Sequence, residues 1–367
     1  MEKATKDNDI NTLTHGGDVY RNSVKLDFSI NLNPNPAPEP IKEAALLGLS
    51  ERDQYPDPLQ SVLRESIAQY EGVSADGIIC GNGASELILA AVHAVSPKKA
   101  LLTAPCYAGY ARALAASDAE IEEYRLEEEI GFAIDEGFIE CLTEDIDMVF
   151  IADPNNPDGR RINPALKMRI RDRCEEMGIV LVIDECFLPL CEAFAEESDC
   201  TLTAEKDKPL HQGLLRLRAF TKIFAIPGIR LGYMMSDDTE LLGKIRMHLP
   251  EWNVSRIAER TGERAARVLS ESEYLAESVG LIKKEREYLE SVLDGLGIKH
   301  YRSDANYILL RSFPGLYDRL LEKGILIRRC SNYSGLDDTF FRIAVRRHED
   351  NAAFAEALSE AIYVGEK

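Results

Sequence analysis

The 367-residue chain has no apolar run near the ~18 residues a membrane-spanning helix needs. Its opening, Met-Glu-Lys-Ala-Thr-Lys-Asp, lacks an apolar signal core. A cytoplasmic protein without a membrane partner is therefore expected. Positive charge is also scarce: 43 Lys and Arg face 63 Asp and Glu, a net charge of −20. That balance argues against a nucleic-acid or anionic-membrane partner, and any anionic substrate needs a locally basic pocket. The cysteines (Cys80, Cys106, Cys141, Cys174, Cys186, Cys191, Cys200 and Cys330) form no Cys-x-x-Cys pair and no metal-ligand rhythm. No metal is expected, and several cysteines in apolar strand-like runs read as buried free thiols. There is no internal repeat and no low-complexity tract.

What is present is the composition of a globular protein, 45% hydrophobic and 29% charged, long enough for about two domains. Residues 1–14 are polar, and Leu26 to Pro38 reads as a short strand followed by proline-rich extended backbone. Apolar strand candidates at 77–80, 100–103, 147–152, 179–183 and 214–220 alternate with helical stretches at 84–95, 108–116 and 164–177. Helical spacing also marks 40–49 and 58–70. This alternation predicts an α/β fold, a mainly parallel sheet sandwiched by helices. Ligands of such sheets sit beyond the carboxyl ends of the strands. One long charged amphipathic helix is expected over 258–294, and strands and helices then mix in a smaller α+β unit. The expected division is an arm, 1–45, joining the small domain, a large domain, 46–252, and the small domain, 253–367.

The segment Ala219-Phe220-Thr221-Lys222-Ile223-Phe224-Ala225-Ile226-Pro227-Gly228-Ile229-Arg230-Leu231-Gly232-Tyr233 sets one lysine in largely uncharged surroundings. Desolvation disfavours its ammonium and makes Lys222 a candidate amine nucleophile. Arg230 offers a planar fork suited to phosphate, and Pro227-Gly228 forces a bend between the two. Upstream, Cys80-Gly81-Asn82-Gly83-Ala84-Ser85-Glu86 is a strand, a glycine-rich turn and a helix start, the pattern of a phosphate cup. Glu86 stands where a dinucleotide fingerprint requires its third glycine. Asp184 ends the apolar strand Val182-Ile183-Asp184, where a carboxylate needs a partner; a helix cap by Asp184 or Glu185 is the alternative.

In this order the motifs resemble the aspartate-aminotransferase superfamily, fold type I enzymes dependent on pyridoxal 5'-phosphate (PLP). The resemblance implies that Lys222 carries the cofactor covalently and Asp184 partners its pyridine nitrogen. It also implies that Ala84, Ser85, Thr221 and Arg230 hold its phosphate. Tyr107 or Tyr110, in Pro105-Cys106-Tyr107-Ala108-Gly109-Tyr110, would stack on the ring; the sequence leaves that choice open. Asn156, in Asp153-Pro154-Asn155-Asn156-Pro157-Asp158-Gly159, would donate to the ring oxygen. Asp158 replaces the family's threonine and reads as a tolerated turn residue. Ala219 stands where relatives have a Ser or Thr that touches phosphate, so a slightly weaker grip is expected. Tyr55, in Tyr55-Pro56-Asp57, would reach a neighbouring subunit's cofactor, implying a homodimer with shared sites.

Arginines that anchor the substrate concentrate late in the chain. Arg328 and Arg342 interrupt apolar strands, and two spaced guanidiniums suit a substrate with two anions. The opening His15-Gly16-Gly17-Asp18-Val19-Tyr20-Arg21, the run Leu26 to Pro34 and the Cys330 to Asp337 segment resemble threonine-phosphate decarboxylases, enzymes of cobalamin side-chain synthesis. These are close kin of histidinol-phosphate aminotransferases. Phe187 agrees, because aminotransferase relatives place a tyrosine there. The expectation is a PLP-dependent lyase acting on a phosphorylated amino acid. Asn33, Arg328 and Arg342 would hold its anions, and His15 and Arg21 would lie in a lid. An aminotransferase of the histidinol-phosphate type is the alternative. A regulator's effector module is disfavoured by the charge, and the 14 residues ahead of His15 leave no room for a DNA-binding domain.

Overall fold

The computed structural model describes residues 17–192, 194 and 212–363. In chain order its strands are β1 (Leu26–Asp27), β2 (Ile78–Gly81), β3 (Lys99–Ala104), β4 (Glu120–Arg125), β5 (Met148–Ala152), β6 (Val180–Asp184), β7 (Leu214–Ala219) and β8 (Gly232–Met235). There follow β9 (Lys299–His300), β10 (Tyr307–Arg311), β11 (Ile325–Leu326), β12 (Arg328–Arg329) and β13 (Phe340–Ala344). The first large sheet has seven strands in the order β2-β8-β7-β6-β5-β3-β4. Strands β3 to β7 pair in parallel. Strand β8 runs antiparallel to both its neighbours.

The parallel strands are continuous apolar runs because helices cover both faces. In β5, Phe150 feeds one core with Val182 and Leu217, while Val149 and Ile151 feed the opposite one with Leu181 and Ile183. Strand β4, Glu-Ile-Glu-Glu-Tyr-Arg, was missing from the sequence expectation. It lies at the sheet edge, where glutamates replace the apolar run and discourage pairing with another chain. Strand β8, which begins at Gly232 at the end of the Ala219–Tyr233 segment, was missing as well.

The long amphipathic stretch is two helices, Arg256–Glu271 and Tyr274–Gly295. The break comes at Ser272, in extended backbone, where its N–H and its hydroxyl both bond to Val268 O. A serine that satisfies a helix-end carbonyl with its own side chain competes with helix continuation. Beyond it, β12-β13-β10-β9 form an antiparallel sheet. The N-terminal segment joins this region: β1 pairs with β11, and Phe28 stacks on Phe354 at 4.7 Å. Among the described residues no helix is long and apolar enough to cross a membrane.

Candidate active site

The carboxyl ends of β2, β3, β5, β6 and β7 open onto one cavity of about 400 Å³. Among the described residues, five basic side chains line it (Arg112, Lys222, Arg230, Arg328 and Arg342) against one carboxylate, Asp184. This is the local positive field that a strongly acidic chain needs to hold anions.

Lys222 rides on a single helical turn, Phe220–Ile223, immediately after β7. Phe220, Thr221 and Ile223 are buried, so the turn's period leaves Lys222 facing the cavity. Burial, and then the Arg342 guanidinium, push its ammonium down to about 8. Its Nζ lies 5.5 Å from the centre of the Phe187 ring. Ala219 occupies the cap position of this turn and offers no side-chain bond, where Ser or Thr would.

Asp184 ends β6 with both oxygens engaged: Tyr110 Oη donates at 2.7 Å and Cys186 N at 3.0 Å. Its neighbour Glu185 is buried and pairs with Arg216 and Arg218 at 3.0 and 3.1 Å, so neither acid caps a helix. The structure separates the two tyrosines. Tyr110 is buried, stacked on Phe150 at 5.1 Å and committed to Asp184. Burial, then Asp184, raises its phenol well above the usual range, so it remains a donor. Tyr107 is half-buried on the cavity wall and meets Tyr110 edge-on. Gly109 leaves room for the Tyr107 ring, since a Cβ there would stand 2.2 Å from it.

The helix Ala84–Val95 points its N-terminus into the cavity with no side-chain cap. Its first N–H groups and the Ser85 hydroxyl form an anion cradle. Glycine is required on both sides of it. Gly83 has φ +78°, and a Cβ would fall 2.4 Å from Arg230 Nη2, whereas a Cβ at Gly232 would fall 2.6 Å from Ala84 N. Arg230, with φ +59°, is held there by Pro227 O at 3.1 Å.

Arg328 and Arg342 are cross-strand partners on β12 and β13, each 3% exposed. Arg328 donates to Arg329 O (2.9 Å) and Asn332 Oδ1 (3.1 Å), and lies over the Tyr333 ring at 5.2 Å. Arg342 donates to Ser29 O (2.8 Å) and to Asn156 Oδ1. The Nε of each is buried without a hydrogen-bond partner among the described residues. Among the described residues, neither guanidinium meets a carboxylate. Asn156 sits in a turn anchored at both ends. Asp153 takes Lys167 Nζ (2.7 Å) and Arg161 Nε (2.6 Å), while Asp158 takes Asn155 Nδ2 and Arg160 N. Asp158 is thus a buried tie rather than merely a tolerated turn residue, with its carboxyl pushed up to about 7 by burial.

Three expected residues lie elsewhere. Asn33 is not in the cavity: it closes a turn across Pro34 by accepting from Asn35 N (2.9 Å). Its backbone N–H and Nδ2 brace Lys222 O (3.1 Å) and Ile223 O (2.8 Å). Asn31 faces the cavity instead, 2% exposed, with a buried Oδ1 that has no partner among the described residues. Asn33-Pro34 marks the turn locally, but it is the brace to Lys222 that takes Asn33 out of the cavity. Arg21 is exposed and pairs with Asp18 at 2.6 Å, outside the cavity. Tyr55, expected to reach a neighbouring subunit rather than this cavity, is 79% exposed and packs tilted against Trp252 with ring centres 4.7 Å apart. His15 lies outside the described residues. Ala84, Ser85, Tyr107, Tyr110, Asn156, Asp184, Thr221, Lys222, Arg230, Arg328 and Arg342 converge, joined by Asn31, Arg112, Asn332 and Tyr333.

Residues 23–358 match the family described as aminotransferase class I and II. The chain belongs to that family. Among its members, the threonine-phosphate decarboxylase of Salmonella typhimurium is 33% identical, over 95% of this chain and 96% of its own. The histidinol-phosphate aminotransferase of Methanothermobacter thermautotrophicus is 30% identical, over 92% of this chain and 89% of its own. Among solved structures, the histidinol-phosphate aminotransferase from Clostridium acetobutylicum superposes with a TM-score of 0.83 at 33% identity, covering 92% of this chain and 99% of that one. The mostly parallel large sheet is the fold of the family.

Proposed function

We propose that this chain is a PLP-dependent carboxy-lyase that removes CO₂ from an O-phospho-amino acid of the L-threonine O-3-phosphate type. The product would be (R)-1-amino-2-propanol O-2-phosphate. The residues present fit the cofactor. The uncapped helix start at Ala84 and Ser85, with Thr221 and Arg230, suits its phosphate. Lys222 suits its aldehyde, Asp184 its ring nitrogen, Tyr107 its face, and the Asn156 amide its ring oxygen. When bound, PLP supplies a sink for the electron pair left at Cα as a substrate bond breaks.

The observation that carries the substrate class is the pair Arg328 and Arg342. Two buried like charges opposite one another on adjacent strands are unfavourable. They are tolerated where a ligand brings the missing negative charge, and a phosphorylated amino acid brings both a phosphate and a carboxylate. Arg342 orients the carboxylate, and Arg328 with Asn31 receives the phosphate. Asp184, kept in place by Tyr110, holds the proton on the ring nitrogen. Lys222, lowered to about 8, exchanges protons near neutral pH and returns one to Cα after CO₂ leaves. Phe187 presents a ring without a hydroxyl beside Lys222, which favours the lyase over the aminotransferase.

Threonine phosphate incubated with the loaded protein should release CO₂ without any keto-acid acceptor. Strict dependence on 2-oxoglutarate, with a keto-acid product, would make it an aminotransferase of the histidinol-phosphate type. Lys222→Ala should abolish both the turnover and the covalent retention of cofactor after borohydride reduction.

The chain is further read as an arm (1–45), a large domain (46–252) and a small domain (253–367), which the pairing of β1 with β11 supports. It is read as a homodimer as well. Tyr55 stands exposed outside its own chain's cavity, and Leu46, Leu47 and Leu49 are exposed on one helix, Glu39–Ser50. Sedimentation at micromolar concentration tests this, and a monomer with full activity refutes shared sites.

A further inference from the structure

Tyr333 lies in the turn between β12 and β13 and touches three residues of the cavity. Its hydroxyl donates to Asn156 Oδ1 at 3.1 Å and accepts from Arg342 Nη1 at 3.4 Å, while its ring lies beneath Arg328. Burial raises the phenol above its usual range, so the hydroxyl keeps its proton.

The consequence concerns the direction of an amide. With Arg342 and Tyr333 both donating to Oδ1, Asn156 must aim its NH₂ away from them. Reversal would set two donors against a guanidinium and a phenol. Arg342 has a competing duty, because on the proposed reading a substrate carboxylate shares its hydrogens. The Tyr333 hydroxyl has no such duty.

We propose that Tyr333 is a positioning residue: its hydroxyl holds the Asn156 amide toward the cofactor ring while substrate occupies Arg342, and its ring seats Arg328. This rests on the cofactor and substrate reading above.

A structural role alone would belong to the ring, which packs with Leu126, Leu309, Cys330 and Phe340. Tyr333→Phe keeps that packing and removes only the hydroxyl. In the PLP-loaded full chain, the pH midpoint of the cofactor's absorption band should rise by about half a unit to one unit, as an aimed donor to the ring oxygen is loosened. KM for threonine phosphate should rise about five- to tenfold with a smaller fall in kcat. In an Asn156→Ala background, Tyr333→Phe should add no further shift of the midpoint, because the group it acts through is gone. A wild-type midpoint and KM in Tyr333→Phe, or shifts that add in the double variant, overturn the proposal. The spectral arm needs no turnover, so a chain that releases no CO₂ contradicts the substrate reading while leaving this assignment testable.

Discussion

Arg328→Met should make the substrate-free chain more stable and nearly inactive. Arg328 and Arg342 face each other across β12 and β13, each 3% exposed. Burying a guanidinium costs several kcal/mol, and a like charge directly opposite adds up to ~1 kcal/mol. Against this, Arg328 has two hydrogen bonds to neutral acceptors and one aromatic face. Those return about 1 kcal/mol each, which leaves the pair near balance or slightly unfavourable without an anion. Methionine keeps most of the volume and carries no charge. The Asn332 oxygen it deserts belongs to an exposed residue, which water can satisfy. The expected gain is about 1 kcal/mol, a rise of about 1–2 °C in Tm for a chain of this length. Inorganic phosphate at 100 times its Kd should stabilise the parent by about 2.7 kcal/mol, or about 3–4 °C, and the variant far less. Calorimetric melts of both PLP-loaded proteins, with and without phosphate, measure the four quantities. A variant that melts below the parent in anion-free buffer, or that gains the same shift from phosphate, refutes the reasoning. Activity on threonine phosphate should fall at least about thirtyfold in kcat/KM, the loss of one charge-assisted contact.

With Lys222 lowered to about 8, roughly a tenth of it is free amine at pH 7, against about three in ten thousand for an ordinary lysine. The rate of PLP uptake by the cofactor-free chain should therefore climb with pH and level off above about 8. Arg342→Gln should move that midpoint upward by removing a repelling charge, and an unmoved midpoint refutes the assignment. Tyr110→Phe removes the 2.7 Å donor to Asp184 and should lower kcat about tenfold to a hundredfold with the fold intact. Parent-like kcat would show that Asp184 needs no such support. Gly83→Ala introduces a Cβ 2.4 Å from Arg230 Nη2 at φ +78° and should weaken PLP binding at least about tenfold in a fluorescence titration.

What could be read from the residues alone was what lies in short-range pattern. The strand ends that carry Asp184 and Lys222, the glycine turn before Ala84 and the helix 164–177 all announce themselves within a few positions. Choices between near neighbours were not legible, because they depend on partners far away in the chain. Asn31 and Asn33 share one motif, yet a backbone brace to Lys222, 189 residues on, removes Asn33 from the cavity. Tyr107 and Tyr110 look alike until Phe150 and Asp184 claim the second. Asp158 reads from the sequence only as a tolerated turn residue, and tertiary packing is what buries it. The edge strand β4 hid in charge, since a strand with one neighbour needs no apolar run. The Cys330 to Asp337 segment stood out as a stretch, but nothing in it marked Tyr333 itself: its three contacts lie 5, 9 and 177 residues away.

The reversed strand β8 has an effect on what this chain can tolerate. Because Ala219 and Gly232 are paired across β7 and β8, the residues from 220 to 231 are clamped like a ring-pull at both ends. The Lys222 amine and the Arg230 guanidinium hang from that single loop. Inserting or deleting one residue there would slip one strand against the other and exchange its inward and outward side chains. Length variation should therefore be absent from this loop in any functional descendant, while the turns at the opposite end of the sheet remain free to grow.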